Sequence, residues 1–255
     1  MTGPRIYYRE YAHGMLPHGA PCGGAPPLVL VHGAGGDLMR WPSDLRRLRG
    51  RTVYALDLPG HGKSGGEPLP DIAAYADALH AWAAGLALPR FVLAGHSMGG
   101  AIAIEYALRY GGRLAGLVLL STGARLRVAP QLLTGILTDF NATVDLLVGW
   151  MYGAAEPNLL RLGARQLRAV RPETLHADFR ACDAFDRRAD VARIDVPTLI
   201  ICGDADVMTP LKSSEFLRDQ IRGAQLVVLP GAGHMAALQQ PQVVTGEVEA
   251  WLAGV

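Results

Sequence analysis

Short unbroken apolar runs recur along the chain, separated by stretches in which apolar residues return every three or four positions. Leu28–Val31, Thr52–Leu56, Phe91–Ala94, Leu117–Leu120, Thr198–Cys202 and Leu226–Leu229 show no polar alternation, as expected for strands buried on both faces. Ile6–Tyr11 mixes aromatic and charged residues and reads as an edge strand, while 13–27 is rich in Gly and Pro and reads as a loop. Between the runs, Ile72, Tyr75, Leu79, Trp82 and Leu86 share one helical face behind an Asp71 N-cap. Ile102 and Tyr106 continue a helix behind Ser97, and Val244, Val248, Trp251 and Leu252 mark a closing helix. Strands alternating with helices predict an α/β fold, a mostly parallel sheet covered on both faces. Ligands of such sheets sit at the carboxyl ends of the strands.

From Gly123 to about Asp190 the alternation stops. No strand pattern is visible there, only helical spacing such as Leu175, Phe179, Cys182 and Phe185, with Pro172 suited to a first helical turn. The segment follows the run ending at Leu120, so it is expected over the same sheet edge as a helical cap. That divides the chain into an α/β core of residues 1–122 and 191–255 and a cap of residues 123–190. The alternative is a larger crossover layer of helices.

Composition narrows the classes. With 255 residues, half of them hydrophobic, the chain can bury one full core and carry an insertion. Its 24 basic and 23 acidic residues give a net charge of +1, and the one loose cluster, Arg46, Arg47, Arg49 and Arg51, reads as a solvated helix face. Nothing points to a nucleic-acid partner. No apolar run reaches the ~18 residues of a membrane span, and Met1 to Arg9 lack the apolar stretch of a secretory signal. A cytoplasmic protein is therefore expected, and the Asn141-Ala142-Thr143 sequon is discounted. Cys22, Cys182 and Cys202 are an odd, widely spaced set that suits neither a disulfide framework nor a zinc site. No cofactor or metal is expected, and oligomeric state is open.

The chemistry centres on Gly95-His96-Ser97-Met98-Gly99-Gly100. A serine flanked by glycines two places away on either side, between a strand and a helix, is forced into a strained turn that exposes its hydroxyl. A serine nucleophile needs a base, and the base needs an orienting acid. His234, in Pro230-Gly231-Ala232-Gly233-His234-Met235, follows the last strand. Asp206, in Gly203-Asp204-Ala205-Asp206-Val207-Met208-Thr209-Pro210, follows the strand before it, with Asp204 as the rival acid. Ser97, Asp206 and His234 stand in the chain order expected for such a turn. After the first buried strand, His32-Gly33-Ala34-Gly35-Gly36 can turn backbone N–H groups towards the crevice. The amides of Ala34 and Met98 are the candidate oxyanion donors.

These motifs resemble those of the α/β-hydrolases with a helical cap. The resemblance rests on five stretches in the family's order: His32-Gly33-x-Gly35-Gly36, Asp57-Leu58-Pro59-Gly60-His61-Gly62-Lys63-Ser64, the Ser97 turn, Gly203-x-x-Asp206-x-x-x-Pro210, and Gly231-x-Gly233-His234. It implies that Asp57, His61, His32 and His96 shape loops and do not act as bases. It also closes the position after Leu120 as a source of the acid, since Ser121 and Thr122 stand there. Gln239 departs from the glutamate often found there in relatives, with an effect expected on local packing alone. Family dehalogenases and epoxide hydrolases use an aspartate nucleophile, so the serine argues against both.

Other motifs fail on spacing. A phosphate-binding loop ending at Gly62-Lys63-Ser64 needs a glycine where Asp57 stands, and a dinucleotide fingerprint beginning at Gly33 needs one at Leu38. No His-x-x-x-His pair carries an adjacent glutamate for a metal hydrolase. The expected function is serine-dependent hydrolysis of a small-molecule carboxylic ester with a short-to-medium apolar acyl group, through an acyl-enzyme. Phe140, Trp150, Met151 and Tyr152 are the candidate pocket residues. The alternatives are carbon–carbon bond hydrolysis of a ring-cleavage diketone, with which Arg187-Arg188 is compatible, lactonase or perhydrolase chemistry on the same triad, and a ligand sensor without turnover.

Overall fold

The structure, a computed structural model, describes residues 5–12 and 25–255. Cys22, the first four residues and most of the Gly- and Pro-rich loop lie outside the described residues. Seven strands form one sheet: β1 (Tyr7–Tyr11), β2 (Leu28–Val31), β3 (Val53–Asp57), β4 (Phe91–His96), β5 (Leu114–Leu120), β6 (Thr198–Gly203) and β7 (Gln225–Leu229). Their order is β1-β3-β2-β4-β5-β6-β7. Only β1, at the edge, is antiparallel to its neighbour.

The missing alternation now has a physical reason. Successive side chains of a strand point to opposite faces, and both faces here are covered by helices. Val29 and Val31, Leu93, Leu117 and Leu119, and Ile200 pack on one side, with α2 (Ile72–Gly85) and α3 (Met98–Tyr110). Leu28 and Leu30, Val92 and Ala94, Val118 and Leu120, and Leu199 and Ile201 pack on the other, with α1 (Ser43–Arg46) and α10 (Pro241–Leu252). The inner strands β2, β4, β5 and β6 therefore need apolar or small residues at nearly every position, whereas the edge strands β1 and β7 keep exposed ones. The Asp71 carboxylate caps α2 as expected, accepting from Ala74 N–H at 2.8 Å.

Between β5 and β6 lie four helices, α4 (Pro130–Thr138), α5 (Phe140–Tyr152), α6 (Pro157–Arg168) and α7 (Pro172–Asp183). The only pairing of strand type there is an isolated bridge between Arg125 and Asp186 at the two ends of the segment. The helices bury their own cluster, including Leu132, Ile136, Val144, Leu147, Met151, Leu167, Leu175 and Phe179, which closes on Met235 after β7. The chain ends with α8 (Leu211–Gln220), between β6 and β7, then α9 (Ala236–Gln239) and α10. Among the described residues no helix is long and apolar enough to cross a membrane.

Candidate active site

Ser97 stands alone between β4 and α3, with φ +54° and ψ −117°. A residue with a Cβ resists that conformation, so its neighbours must hold it. The Ser97 N–H donates to the Leu120 carbonyl at 3.0 Å. The Ser97 carbonyl accepts from the Thr122 hydroxyl at 2.8 Å and from the Gly100 and Ala101 N–H groups. The flanking glycines are required by contact: a Cβ on Gly95 would sit 2.1 Å from the Gly99 carbonyl oxygen, and one on Gly99 2.3 Å from that of Val31.

The loops after β6 and β7 bring two further side chains to this serine. His234 Nε2 lies 2.9 Å from Ser97 Oγ, and His234 Nδ1 lies 2.9 Å from Asp206 Oδ2. Asp206 is almost wholly buried. Burial raises its pKa, but the His234 charge and hydrogen bonds from His234 and Thr209 outweigh that and hold it below the usual carboxylate value. Its Oδ1 accepts from Met208 and Thr209 N–H, each at 2.9 Å, and its Oδ2 also accepts from the Thr209 hydroxyl at 2.8 Å. A carboxylate so held orients the imidazole with its proton on Nδ1, leaving Nε2 free to accept from the serine. Asp204 faces elsewhere, accepting from Gly231 N–H at 2.7 Å and shaping the turn that leads to His234.

Two other histidines beside the serine, His32 and His96, are tied to the backbone. His32 donates from Nδ1 to the Gly33 carbonyl and accepts at Nε2 from Leu58 N–H, which fixes its neutral tautomer. Burial, followed by the charge of His61, pushes its pKa well below the ordinary value. His96 donates from Nε2 to the His234 carbonyl at 2.9 Å, and burial with the nearby His234 lowers its pKa to about 3. It tethers the His234 loop to the end of β4 as a neutral ring. Among the described residues, neither Ala34 N–H nor Met98 N–H finds a protein acceptor. Met98 is the first residue of α3, so the positive end of that helix lies at the serine.

A cavity of about 40 Å³ adjoins Ser97, lined by Gly33, Ala34, His96 and His234 on the sheet side and by Leu147, Met151, Leu167, Leu175, Phe179, Met208 and Met235 beyond. Of the four aromatic and sulfur residues expected in a pocket, it takes Met151 alone. Leu147 and Met151, four apart on α5, face it together, whereas Trp150 is turned about 100° from Met151 by the helical period and packs with Phe140 against the helical cluster. Tyr152 is buried within that cluster. Arg187 and Arg188 are absent from the cavity too: Arg187 makes two hydrogen bonds to Glu105 on α3, and Arg188 pairs with Asp186. Gln239 does more than pack. Its Oε1 accepts from Gly233 N–H and its Nε2 donates to the Tyr152 carbonyl, joining the His234 loop to α5; a glutamate could make only the first bond.

Asp178 on α7 went unnoticed in the sequence. It is fully buried and accepts from Gly35 N–H at 2.8 Å, His61 Nε2 at 2.7 Å and the Tyr75 hydroxyl at 3.2 Å. It thus joins the helical segment to the glycine turn beside Ala34. An acid in the middle of the apolar face Leu175, Phe179, Cys182 was the signal that could have revealed it. His61 presents its other nitrogen to the Pro59 carbonyl at 3.0 Å, so both ring nitrogens face acceptors. Burial disfavours the charge, yet the Asp178 carboxylate prevails and the His61 pKa is raised. The folded state therefore binds this proton more tightly than the unfolded chain, whose histidine titrates near ~6.5. The contact contributes fully below that pH and is lost as pH rises through the folded value. In denaturant titrations between about pH 6 and 9, the stability gap between wild type and His61→Gln should narrow steadily with rising pH; a constant gap would remove the charge from the account.

Comparison with known proteins identifies the fold and the family. The profile of the alpha/beta hydrolase family matches residues 28–247. A pimeloyl-[acyl-carrier protein] methyl ester esterase of Neisseria meningitidis is 28% identical, over 89% of this chain and 94% of its own length. A dihydrolipoyllysine-residue acetyltransferase component of an acetoin cleaving system, from Pseudomonas putida, is 31% identical over 90% of this chain, which spans 64% of that longer protein. Among solved structures, a thermophilic esterase superposes with a TM-score of 0.81 at 33% identity, over 91% of each chain. The enol-lactonase of Burkholderia xenovorans superposes with a TM-score of 0.87 at 25% identity, over 97% of this chain and 96% of that one. A family profile that takes in β2 through most of α10, with a solved esterase matched nearly end to end, places the chain in the alpha/beta hydrolase family.

Proposed function

We propose that the protein hydrolyses carboxylic esters of short acyl groups by way of an acyl-enzyme. The observation that carries this reading is the unbroken relay Asp206–His234–Ser97, two 2.9 Å contacts ending at a serine on a strained turn. In it, Ser97 Oγ attacks the carbonyl carbon as its proton passes to His234 Nε2. The negative oxygen of the tetrahedral intermediate is met by the N–H groups of Ala34 and Met98. His234 then returns the proton to the departing alkoxide, and the alcohol leaves the acyl group on Ser97. Water, deprotonated by His234, attacks that acyl carbon and releases the acid and the free serine.

In this reading the helices α4–α7 form a cap that roofs the acyl site, and the size of the cavity sets the acyl length. About 40 Å³ of apolar space beside Ser97 is small next to the ~300 Å³ and more of sites for drug-sized ligands. With p-nitrophenyl esters from acetate to decanoate, kcat/KM is expected to peak at two to four acyl carbons, roughly the reach of so small a site, and to fall by about tenfold or more by eight. A maximum at the long-chain end would contradict the assigned cavity. A lactone is an internal ester open to the same steps, and the likeness to an enol-lactonase favours including small lactones in the panel. The carbon–carbon reading loses the support of Arg187 and Arg188, which are engaged away from the cavity.

A further inference from the structure

Arg40 follows the glycine turn in a short 3-10 segment, Leu38–Arg40, and is only 7% exposed. A buried guanidinium is normally paired with a carboxylate, since leaving the charge without a partner is costly. Here, among the described residues, Nη1 donates to the Gln166 side-chain oxygen of α6 at 2.5 Å and the Tyr152 phenol lies beside the guanidinium, which leaves most of its five N–H donors without a protein acceptor. Among the described residues no carboxylate lies within 4.0 Å of it, and residues 1–4 and 13–24 contain no Asp or Glu. Asp178, the nearby buried acid, is engaged by Gly35, His61 and Tyr75.

Its position gives the charge a use. Arg40 lines the Ser97 cavity together with Gly33, Ala34 and Gly36, and it also lines an outer cleft of about 590 Å³ that holds His61, Asp37 and the Arg171–Glu67 ion pair. Its charge reaches His96 and His32, lowering the pKa of both, and acts on the Tyr152 phenol. That phenol oxygen is buried beside the guanidinium and, among the described residues, has no other hydrogen-bond partner. The wall between the apolar cavity and the cleft therefore carries a fixed positive charge with donors to spare.

We propose that Arg40 recognises a carboxylate on the substrate, so that the ester cleaved at Ser97 is a short one bearing a second, anionic end. The planar fork of an arginine matches a carboxylate with two parallel hydrogen bonds, and the small cavity keeps the two ends of such a molecule a few bonds apart. This rests on the ester-hydrolase reading for the identity of the reacting end, but the recognition of the anion does not depend on turnover.

The test uses two anionic probes, monomethyl glutarate with its charge on the acyl part and 3-acetoxypropanoate with its charge on the alcohol part, each against its neutral primary amide. For the wild type, kcat/KM should favour at least one anionic probe over its amide by about 10- to 100-fold, the range of a charge-assisted hydrogen bond. In Arg40→Met the preference should vanish, and in Arg40→Lys, which keeps the charge without the fork, it should fall part of the way. Calorimetric binding of the same probes to Ser97→Ala, with and without Arg40→Met, reads recognition independently of catalysis. Preference in binding without turnover would uphold Arg40 and overturn the ester-hydrolase reading. Equal handling of anionic and neutral probes by the wild type, or a preference that survives in Arg40→Met, would overturn the role of Arg40.

Discussion

Replacing Ser97 with alanine is expected to lower kcat/KM for a short-chain ester by about 10⁵- to 10⁶-fold, while the thermal midpoint stays near that of the wild type. The fall is large because no other group stands where Ser97 Oγ does, 2.9 Å from His234 Nε2. Water activated by His234 and the two backbone donors would leave a small residual rate. The fold should survive because the backbone groups of Ser97 hold the turn, through Leu120, Thr122, Gly100 and Ala101, and alanine keeps all of them. Alanine at φ +54° meets the same steric resistance that serine already meets. Activity within tenfold of wild type, in a variant that is folded, would move the nucleophile elsewhere.

The second large effect is predicted for Asp206→Asn, and the reason is a proton on the wrong nitrogen. The two backbone N–H groups of Met208 and Thr209 point at Oδ1, so the asparagine keeps its carbonyl oxygen there. Its NH₂ then takes the place of Oδ2, facing His234 Nδ1 across 2.9 Å. Two donors cannot face one another, so Nδ1 becomes the acceptor and the imidazole proton moves to Nε2. That nitrogen can no longer take the Ser97 proton. A loss of about 10⁴-fold in kcat/KM is expected, with near-native stability, whereas Asp204→Asn should disturb only the turn at Gly231. A fall of less than tenfold in Asp206→Asn, or a larger fall in Asp204→Asn, would reverse the assignment of the acid.

The strands and the helices flanking the Ser97 turn were legible because their signals are local. Each run such as Leu28–Val31 must be apolar at every position, and Asp71 must precede the helix it caps. The strands extend slightly beyond the apolar runs, to Asp57, His96 and Gly203, because pairing continues after the residues cease to be aliphatic. That Ser97, Asp206 and His234 meet was legible for a related reason: each follows a strand, and a parallel sheet gathers its strand ends on one edge.

What the sequence left dark depends on contacts between elements far apart in the chain. The cavity wall required knowing how α5 is rotated, which separates Met151 from its neighbours Trp150 and Tyr152. Arg40 carries no periodic signal, lying between Leu38 and Trp41 in a short 3-10 turn. Gln239 looked like a minor departure until its amide was found bridging Gly233 and Tyr152. Asp178 alone was visible in principle, as an acid interrupting an apolar helical face whose partners, Gly35, His61 and Tyr75, are more than a hundred residues away.

The most direct test of the account is the mass of the protein caught in the act. The enzyme is mixed with p-nitrophenyl butyrate, quenched in acid within the first turnover, digested and weighed. A butyryl increment is expected on the peptide carrying Ser97, appearing with the burst of p-nitrophenol, and no increment in Ser97→Ala. An increment on any other residue, or p-nitrophenol released at the wild-type rate by a folded Ser97→Ala enzyme, would contradict it.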